Sequence, residues 1–156
     1  MRILVLYESR RGFTLTVARA IRDELRARGL TASAAPLGGV DAGTLAACDA
    51  LIVGTWVAGK ILVGVGPPRE ALAALAALPA LGGRPAAVFC TYDAAPRGTL
   101  AILAARLVGR GARVEVGGAF RNGPLARTRR RSLATVPAFV DEVHANLERL
   151  AATVEP

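Results

Sequence analysis

The chain has 156 residues, which suffices for one domain with a full hydrophobic core and is too short for two ordinary domains. Because 53% of its residues are apolar and 21% charged, and no apolar run approaches the ~20 residues of a membrane span, the composition excludes a disordered chain and an integral membrane protein. The net charge of +8 is compatible with nucleic acid, a membrane surface or an acidic protein as partner, although 19 of the 20 basic residues are arginine in an alanine-rich chain, as a coding bias would also produce.

The cysteine content and the amino terminus indicate the compartment. Cys48 and Cys90 are too few for a disulfide framework and lack the spacing of metal ligands. The first residues turn polar after a short apolar run and have no small-residue cleavage site, so they do not form a signal peptide. We therefore expect a cytoplasmic protein whose residues 1–156 form a single domain.

Apolar runs alternate with amphipathic helical patterns along the whole chain, which is typical of a parallel sheet covered by helices. In chain order the pattern predicts a strand at 2–7, a helix at 13–28, a strand at 31–37, a short helix at 42–47, a strand at 50–54, a helix at 69–78, a strand at 84–91, a helix at 98–108, a strand at 112–117 and a helix at 136–152.

Strand composition predicts the order of the strands in the sheet. The first, third and fourth strands are continuous apolar runs, as expected for strands buried on both faces. The second strand is weak and contains Pro36, and the fifth alternates polar with apolar residues, so both are predicted at edges. The prediction is a doubly wound five-stranded parallel α/β sheet of order 2-1-3-4-5, sandwiched between two helical layers.

In such a sheet ligands bind at the carboxyl ends of the strands, where the winding reverses, here between strands 1 and 3. The first loop there contains Ser9, Arg10, Arg11 and Gly12 and continues through Phe13 and Thr14 into a helix. Free N–H groups at a helix start, the Ser9 and Thr14 hydroxyls and the two arginines predict a phosphate site. The alternative is a plain turn in which Ser9 or Thr14 caps the helix.

Two aromatic residues follow the neighbouring central strands. Trp56 lies after Thr55 and before Val57, at the ligand end of the third strand, and Tyr92 follows Cys90 and Thr91 at the end of the fourth. Such a pair can flank a planar ring, although each aromatic alone would also serve to seal a loop over the core. Next to a phosphate loop, they favour a planar ligand that carries a phosphate.

At these residues the chain resembles the flavodoxin family, through S-x-x-G-x-T (Ser9, Gly12, Thr14), the pair Thr55 and Trp56, and Tyr92. The resemblance extends over essentially the whole chain and implies the flavodoxin-like fold with FMN as cofactor. It further implies that residues 9–14 hold the phosphate and that Trp56 and Tyr92 flank the flavin ring. Peptide groups around Thr55, Val57, Thr91 and Tyr92 would then meet its polar edge.

The chain departs from the family at three points. Arg11 replaces a usual hydroxyl residue, and Val57 replaces a frequent glycine and would hinder the peptide flip that flavodoxins make on flavin reduction. Lys60 and Arg97 stand in loops where acidic flavodoxins carry carboxylates. A cation ~6 Å from a reduced flavin anion is worth roughly 2 to 3 kcal/mol at an effective dielectric constant of ~20. That corresponds to a potential on the order of 0.1 V higher, so any bound flavin should be a weaker reductant than in acidic flavodoxins.

Four functions are candidates for a sheet of this order, and one of them is excluded by the sequence. An FMN-binding electron carrier is the first, and an FMN-dependent oxidoreductase acting on a quinone or porphyrinogen-type substrate is the second. The third, a flavodoxin-like scaffold without its cofactor, is kept open by Arg11 and Val57. A signalling receiver domain is excluded, because Gly54 and Thr55 stand where the phospho-accepting aspartate belongs.

Peripheral features bear on the partner. Residues 127–131, four of which are arginine, are predicted in a loop, either simply solvated or docking an acidic redox partner or a phosphate-bearing ligand such as NADPH. We expect an acidic redox partner near Lys60, Arg97 or Arg127 to Arg131. No aromatic residues are interleaved with these arginines, which disfavours nucleic acid.

Overall fold

The computed structural model describes residues 1–60, with Lys60 only through its backbone, and residues 63–153. Strands and helices alternate as predicted. In chain order the elements are β1 (Arg2–Glu8), α1 (Phe13–Ala27), β2 (Thr31–Pro36), α2 (Ala42–Ala47), β3 (Ala50–Trp56), β4 (Ala58–Lys60), β5 (Val63–Gly66), α3 (Arg69–Ala76), β6 (Pro85–Tyr92), α4 (Thr99–Gly109), β7 (Arg113–Arg121), α5 (Ala126–Leu133) and α6 (Val136–Ala152).

The main sheet has the order β2-β1-β3-β6-β7, and all its neighbouring strands are parallel. Counted without the hairpin β4–β5, this is the predicted order 2-1-3-4-5, which is confirmed. Buried residues fill both faces of the central strands, whereas β2 has one buried residue and β7 has two. The apolar runs therefore lie in the middle of the sheet because only there are both faces covered.

Two hydrophobic layers enclose the sheet. On one face, Val17, Ile21 and Leu25 of α1 and Val140 and Leu147 of α6 pack against β1, β3 and β6. The helices α2, α3 and α4 supply the layer on the other face. The result is the three-layer α/β sandwich that the sequence predicts.

Four strands extend further toward the ligand edge than predicted. β1 ends at Glu8, β3 at Trp56 and β6 at Tyr92, and β7 continues to Arg121 instead of ending at residue 117. Glycine has low strand propensity, which is why Gly117 and Gly118 indicated an end to β7. In the structure Gly118 is needed inside the strand, since an added Cβ would lie 2.6 Å from the ring of Phe139.

Two connections contain strands or a helix that were not predicted from the sequence. Strands β4 and β5 form an antiparallel hairpin between β3 and α3, where no strand was predicted; its residues Ile61 and Leu62 lie outside the described residues. The prediction of a loop at 127–131 was wrong, because these residues lie in α5. Arginine is a good helix former, so a run of arginines alone does not indicate a loop. Within the described ranges, no helix is both long and apolar enough to cross a membrane.

Candidate functional site

The first loop forms a preorganised turn at the start of α1. Gly12 caps the helix with a left-handed backbone (φ 97°), and the space where its Cβ would stand is open. The Ser9 Oγ accepts hydrogen bonds from the N–H groups of Gly12, at 3.2 Å, and of Leu15, at 3.3 Å. Ser9 therefore holds the turn together, which is the capping role that the sequence left open.

The N–H groups of Phe13 and Thr14 lie between these two bonds, in the first turn of α1. Neither has a hydrogen-bond partner in the part of the chain that the structure describes, as is usual for the first turn of a helix. The first turn contains no acidic residue. Free N–H groups at the positive end of a helix dipole favour an anion here, and the exposed Arg10 and Arg11 add positive charge.

A hydroxyl pair joins the first loop to β6. Thr14 Oγ1 and Thr91 Oγ1 are 2.7 Å apart, and the two residues are 1% and 4% exposed. Each hydroxyl is thus buried with the other as its partner, and the pair fixes the start of α1 against the end of a central strand.

Thr91→Val is expected to lower the free energy of unfolding by about 1 to 3 kcal/mol, because it leaves the Thr14 hydroxyl buried and unpaired. The double variant Thr14→Val/Thr91→Val removes both groups, so its loss should be smaller than the sum of the two single losses. Urea unfolding without added flavin measures both quantities. Thr31→Val, at an exposed strand position, is the matched control. Additive losses would contradict a direct hydroxyl pair.

A cavity of about 200 Å³ opens at the ends of β3 and β6, and we call it the ring cavity. Two half-exposed aromatics line it, Trp56 from β3 and Tyr92 from β6. The guanidinium of Arg10 lies over the Trp56 ring, 5.2 Å from its centroid, which is within the range of a cation–π contact. The residues that line the ring cavity are Arg10, Arg11, Phe13, Thr14, Trp56, Val57, Gly59, Thr91, Tyr92, Asp93 and Asn122.

The backbone around the ring cavity is largely paired within the protein. The Val57 N–H donates to the Thr91 carbonyl at 2.9 Å, and the Asn122 N–H donates to the Tyr92 carbonyl at 2.7 Å. The Val57 N–H, expected from the sequence to meet a ligand edge, is therefore already used between β3 and β6. The carbonyls of Thr91 and Tyr92 each keep one lone pair for a further donor.

Four of the twelve predicted site residues do not line the ring cavity. Ser9 and Gly12 shape the first turn without lining the ring cavity. Thr55 is fully buried, and its hydroxyl has no hydrogen-bond partner among the described residues. Cys90 is also fully buried, and this burial raises the pKa of its thiol to about 12, so the thiol is protonated at neutral pH. The other eight predicted residues line the ring cavity.

Three lining residues were not predicted. Gly59 and Asp93 belong to the loops that the strand ends indicated, but neither residue type stands out there. Asn122 follows the last residue of β7. The predicted strand ended at residue 117, too early to bring Asn122 to the site. Only the position of Asn122 at the end of a strand could have indicated that it lines the site, since the carboxyl end of every parallel strand lies at the ligand edge.

Fixed charges near the site have mixed sign. Burial raises the pKa of Glu8, at the end of β1, and the neighbouring Glu70 carboxylate raises it further. Arg97, predicted to face the ligand, adopts a positive φ of 47° and does not line the ring cavity. The Lys60 side chain lies outside the described residues. Arg10, Arg11 and Asp93 are the charged residues that line the ring cavity within the described ranges.

Comparison with known proteins supports the fold. No protein-family model and no curated protein matches the chain. Oxidised flavodoxin 2 from Bacillus cereus is 27% identical with a TM-score of 0.69, over 91% of this chain and 99% of that one. A short-chain flavodoxin associated with a non-canonical PDU bacterial microcompartment is 17% identical with a TM-score of 0.72, over 94% and 99%. Rubredoxin oxygen:oxidoreductase from Desulfovibrio gigas is 16% identical with a TM-score of 0.69, over 94% of this chain and 37% of that one.

The sheet order, the two helical layers and these similarities define the class: the chain has the flavodoxin-like fold. Within that class its resemblance is to flavodoxins, whose solved structures it matches over more than 90% of its length and nearly all of theirs. The family resemblance predicted from the short motifs is therefore confirmed.

Proposed function

We propose that the protein is an FMN-binding electron carrier of the flavodoxin type. One observation carries the proposal: the free N–H groups of Phe13 and Thr14 adjoin a cavity lined by Trp56 and Tyr92. An anion site next to an aromatic-lined cavity suits a planar ring that carries a phosphate. The flavodoxins among the structural neighbours support the same cofactor.

The residues present fit FMN. Backbone N–H groups of Phe13 and Thr14, with Arg10 and Arg11, would hold the phosphate, and Trp56 and Tyr92 would pack against the ring. When bound, the flavin supplies the redox chemistry, and the protein supplies binding, orientation and electrostatics. The described ring cavity presents one carboxylate, Asp93, and no histidine or thiol, which suits electron transfer without a dedicated proton donor.

Arg11 and Val57 do not prevent this assignment. The Arg11 side chain is exposed and lines the ring cavity, where it adds charge for a phosphate in place of a hydroxyl. Val57 lines the cavity too, while its N–H is engaged with Thr91. A valine with a paired N–H resists a peptide rotation, so this protein should keep one loop conformation when the flavin changes its redox state.

A titration of the purified protein with FMN tests the proposal. We expect one equivalent to bind at micromolar concentration or below, with shifted absorption bands and quenched flavin fluorescence. Riboflavin, which lacks the phosphate, should bind at least 10-fold more weakly if the first loop holds that group. Absence of FMN binding at micromolar concentration would overturn the proposal and favour a scaffold that has lost its cofactor.

The bound flavin is expected to be a weaker reductant than in acidic flavodoxins, because the Arg10 guanidinium lies over Trp56, at the wall against which the flavin ring would pack. A nearby cation stabilises a reduced, anionic flavin by an amount that corresponds to an increase on the order of 0.1 V. A redox titration should show the midpoint of Arg10→Gln below that of the wild type. Arg106→Gln, on the surface of α4, is the control. An unchanged midpoint in Arg10→Gln would refute the effect.

We also propose an acidic redox protein as partner, which docks on the exposed arginines of α5 (Arg127 to Arg131) or near Lys60 and Arg97. The segment between Glu115 and Asp141 contains five arginines and no acidic residue, so all of its charged side chains are positive. Complementary charge increases the rate of association, and the rate should therefore fall steeply as salt is added.

A further inference from the structure

A second cavity of about 860 Å³ lies beside the ring cavity, between the first turn of α1 and helix α5. We call it the arginine cleft, after Arg11, Arg129 and Arg130, which line it. The arginine cleft and the ring cavity share Arg11, Phe13, Asp93 and Asn122 as lining residues. The free N–H groups at the start of α1 therefore stand at the junction of two adjoining spaces.

The charge of the arginine cleft is strongly positive. Within the described residues, none of its three arginines forms an ion pair with a carboxylate, and Asp93 is the one acidic residue that lines it. By contrast, other arginines of this chain are paired, as Arg28 is with Asp141 at 2.7 Å. Three arginines around one concave space, with a single carboxylate, favour an anionic ligand.

The wall that carries two of these arginines is firmly attached to the sheet. The Ser132 Oγ of α5 donates to the Arg121 carbonyl of β7 at 2.6 Å. The Arg129 guanidinium donates to the Gly123 carbonyl at 3.4 Å. An added Cβ at Gly123 would lie 2.6 Å from Thr128, so the turn packs tightly against α5. The arginines thus project from an ordered helix and not from a loose loop.

We propose that the arginine cleft binds a second phosphate group, next to the FMN phosphate, and adenine nucleotides are the probes that test it. The inference rests on the proposed flavin site, since it takes the start of α1 as the phosphate site. The volume lies within the ~300 to 1,000 Å³ of typical small-ligand pockets. Guanidinium groups pair with phosphate oxygens in a two-pronged geometry, and Arg129 and Arg130 are placed to hold a second phosphate.

The second phosphate group has two possible sources, which differ in covalent linkage. In FAD it is joined to the flavin phosphate, so one molecule occupies both cavities. A separate nucleotide, such as ADP or NADPH, would instead occupy the arginine cleft while FMN remains in the ring cavity. Both present the same chemistry to Arg129 and Arg130.

Isothermal titration of the full chain with FMN, FAD and ADP, the last with and without FMN present, distinguishes the outcomes. Linked binding predicts that FAD binds at least 10-fold more tightly than FMN. Separate binding predicts that ADP binds the FMN complex while FAD gains nothing over FMN. Either result supports the arginine cleft as a second phosphate site.

Two double variants locate the site and separate its effect on binding from the effect of the overall positive charge of α5. Arg129→Gln/Arg130→Gln should weaken FAD or ADP binding at least 10-fold and change FMN binding less than 3-fold. Arg127→Gln/Arg131→Gln removes the same charge from α5 at positions that do not line the cleft, and should leave both ligands within 3-fold. All four side chains are exposed, so the fold should persist, as a thermal unfolding curve can verify.

The failures are distinguishable. If FMN binds normally while FAD is no tighter than FMN and ADP does not bind, the second phosphate site is refuted and the flavin proposal stands. If FMN does not bind, the flavin proposal fails. Equal losses in the two double variants would also refute the cleft, since they would show only a general effect of charge.

Discussion

Gly54→Ala is expected to lower the free energy of unfolding by about 3 kcal/mol, at the upper end of the usual cost of overpacking a core. A methyl group at Gly54 would overlap the ring of Phe89, which is fully buried between β3 and the helices on one face of the sheet. The ring cannot move aside, because Phe120 stands against it with ring centroids 6.3 Å apart. Urea unfolding of the flavin-free protein measures the loss.

Two further variants make this result specific. Gly38→Ala adds the same methyl group at an exposed position with open space and an ordinary φ, and should change stability by less than about 0.5 kcal/mol. Phe89→Leu in the Gly54→Ala background should cost less than the sum of the single changes, because the smaller side chain makes room. A Gly54→Ala protein as stable as the wild type would show that the strand adapts. Since Trp56 lies two residues further along β3, FMN affinity should fall as well.

Trp56→Ala is expected to weaken FMN binding by roughly 30- to 150-fold. The loss combines ring stacking with buried apolar area, together roughly 2 to 3 kcal/mol, at tenfold per 1.4 kcal/mol. The Arg10 guanidinium also loses the ring over which it lies, so an arginine of the phosphate loop becomes less ordered. Quenching of flavin fluorescence during titration gives the dissociation constant.

Trp56→Phe keeps a stacking ring and should lose less than about 10-fold. Val108→Ala truncates an exposed apolar side chain of α4 outside both cavities and should bind FMN as the wild type does. If Trp56→Ala retains wild-type affinity, the aromatic wall of the ring cavity does not hold the flavin.

The sheet could be predicted in detail because its cause is visible in the sequence. Central strands need apolar residues on both faces, and three runs in the chain satisfy this condition. Proline in β2 and alternation in β7 then determine the edges. The strand ends were less predictable, since Trp56, Tyr92 and the glycines of β7 have local preferences that the paired neighbouring strands override.

Helix α5 could not be predicted from its local sequence. Its arginines have no acidic partners three or four residues away, so no helical pattern of charges appears. Contacts with residues outside the helix hold it in place, above all the hydrogen bond from Ser132 to Arg121 and the packing of Thr128 on Gly123. The arginine cleft exists only because this helix returns to the start of α1, more than 110 residues earlier.

The sequence predicts many of the residues that line the candidate site, but it does not predict which of them contact one another. Parallel strands bring their carboxyl ends to one edge, and this rule placed eight of twelve predicted residues around one cavity. Which of them pair with one another depends on side-chain orientation. The Arg10 contact with Trp56 and the hydroxyl pair of Thr14 and Thr91 are of this kind.

That hydroxyl pair has a single proton between its two oxygens, and this imposes a choice on the site. A hydroxyl that gives its proton to its neighbour has none for a ligand, whereas the accepting hydroxyl keeps its own. If Thr14 donates to a phosphate, Thr91 must turn its proton toward Thr14, and the reverse holds for a ligand that Thr91 serves. A ligand at one threonine therefore decides whether the other can still donate, and both hydroxyl protons rotate together when the direction of the bond is reversed.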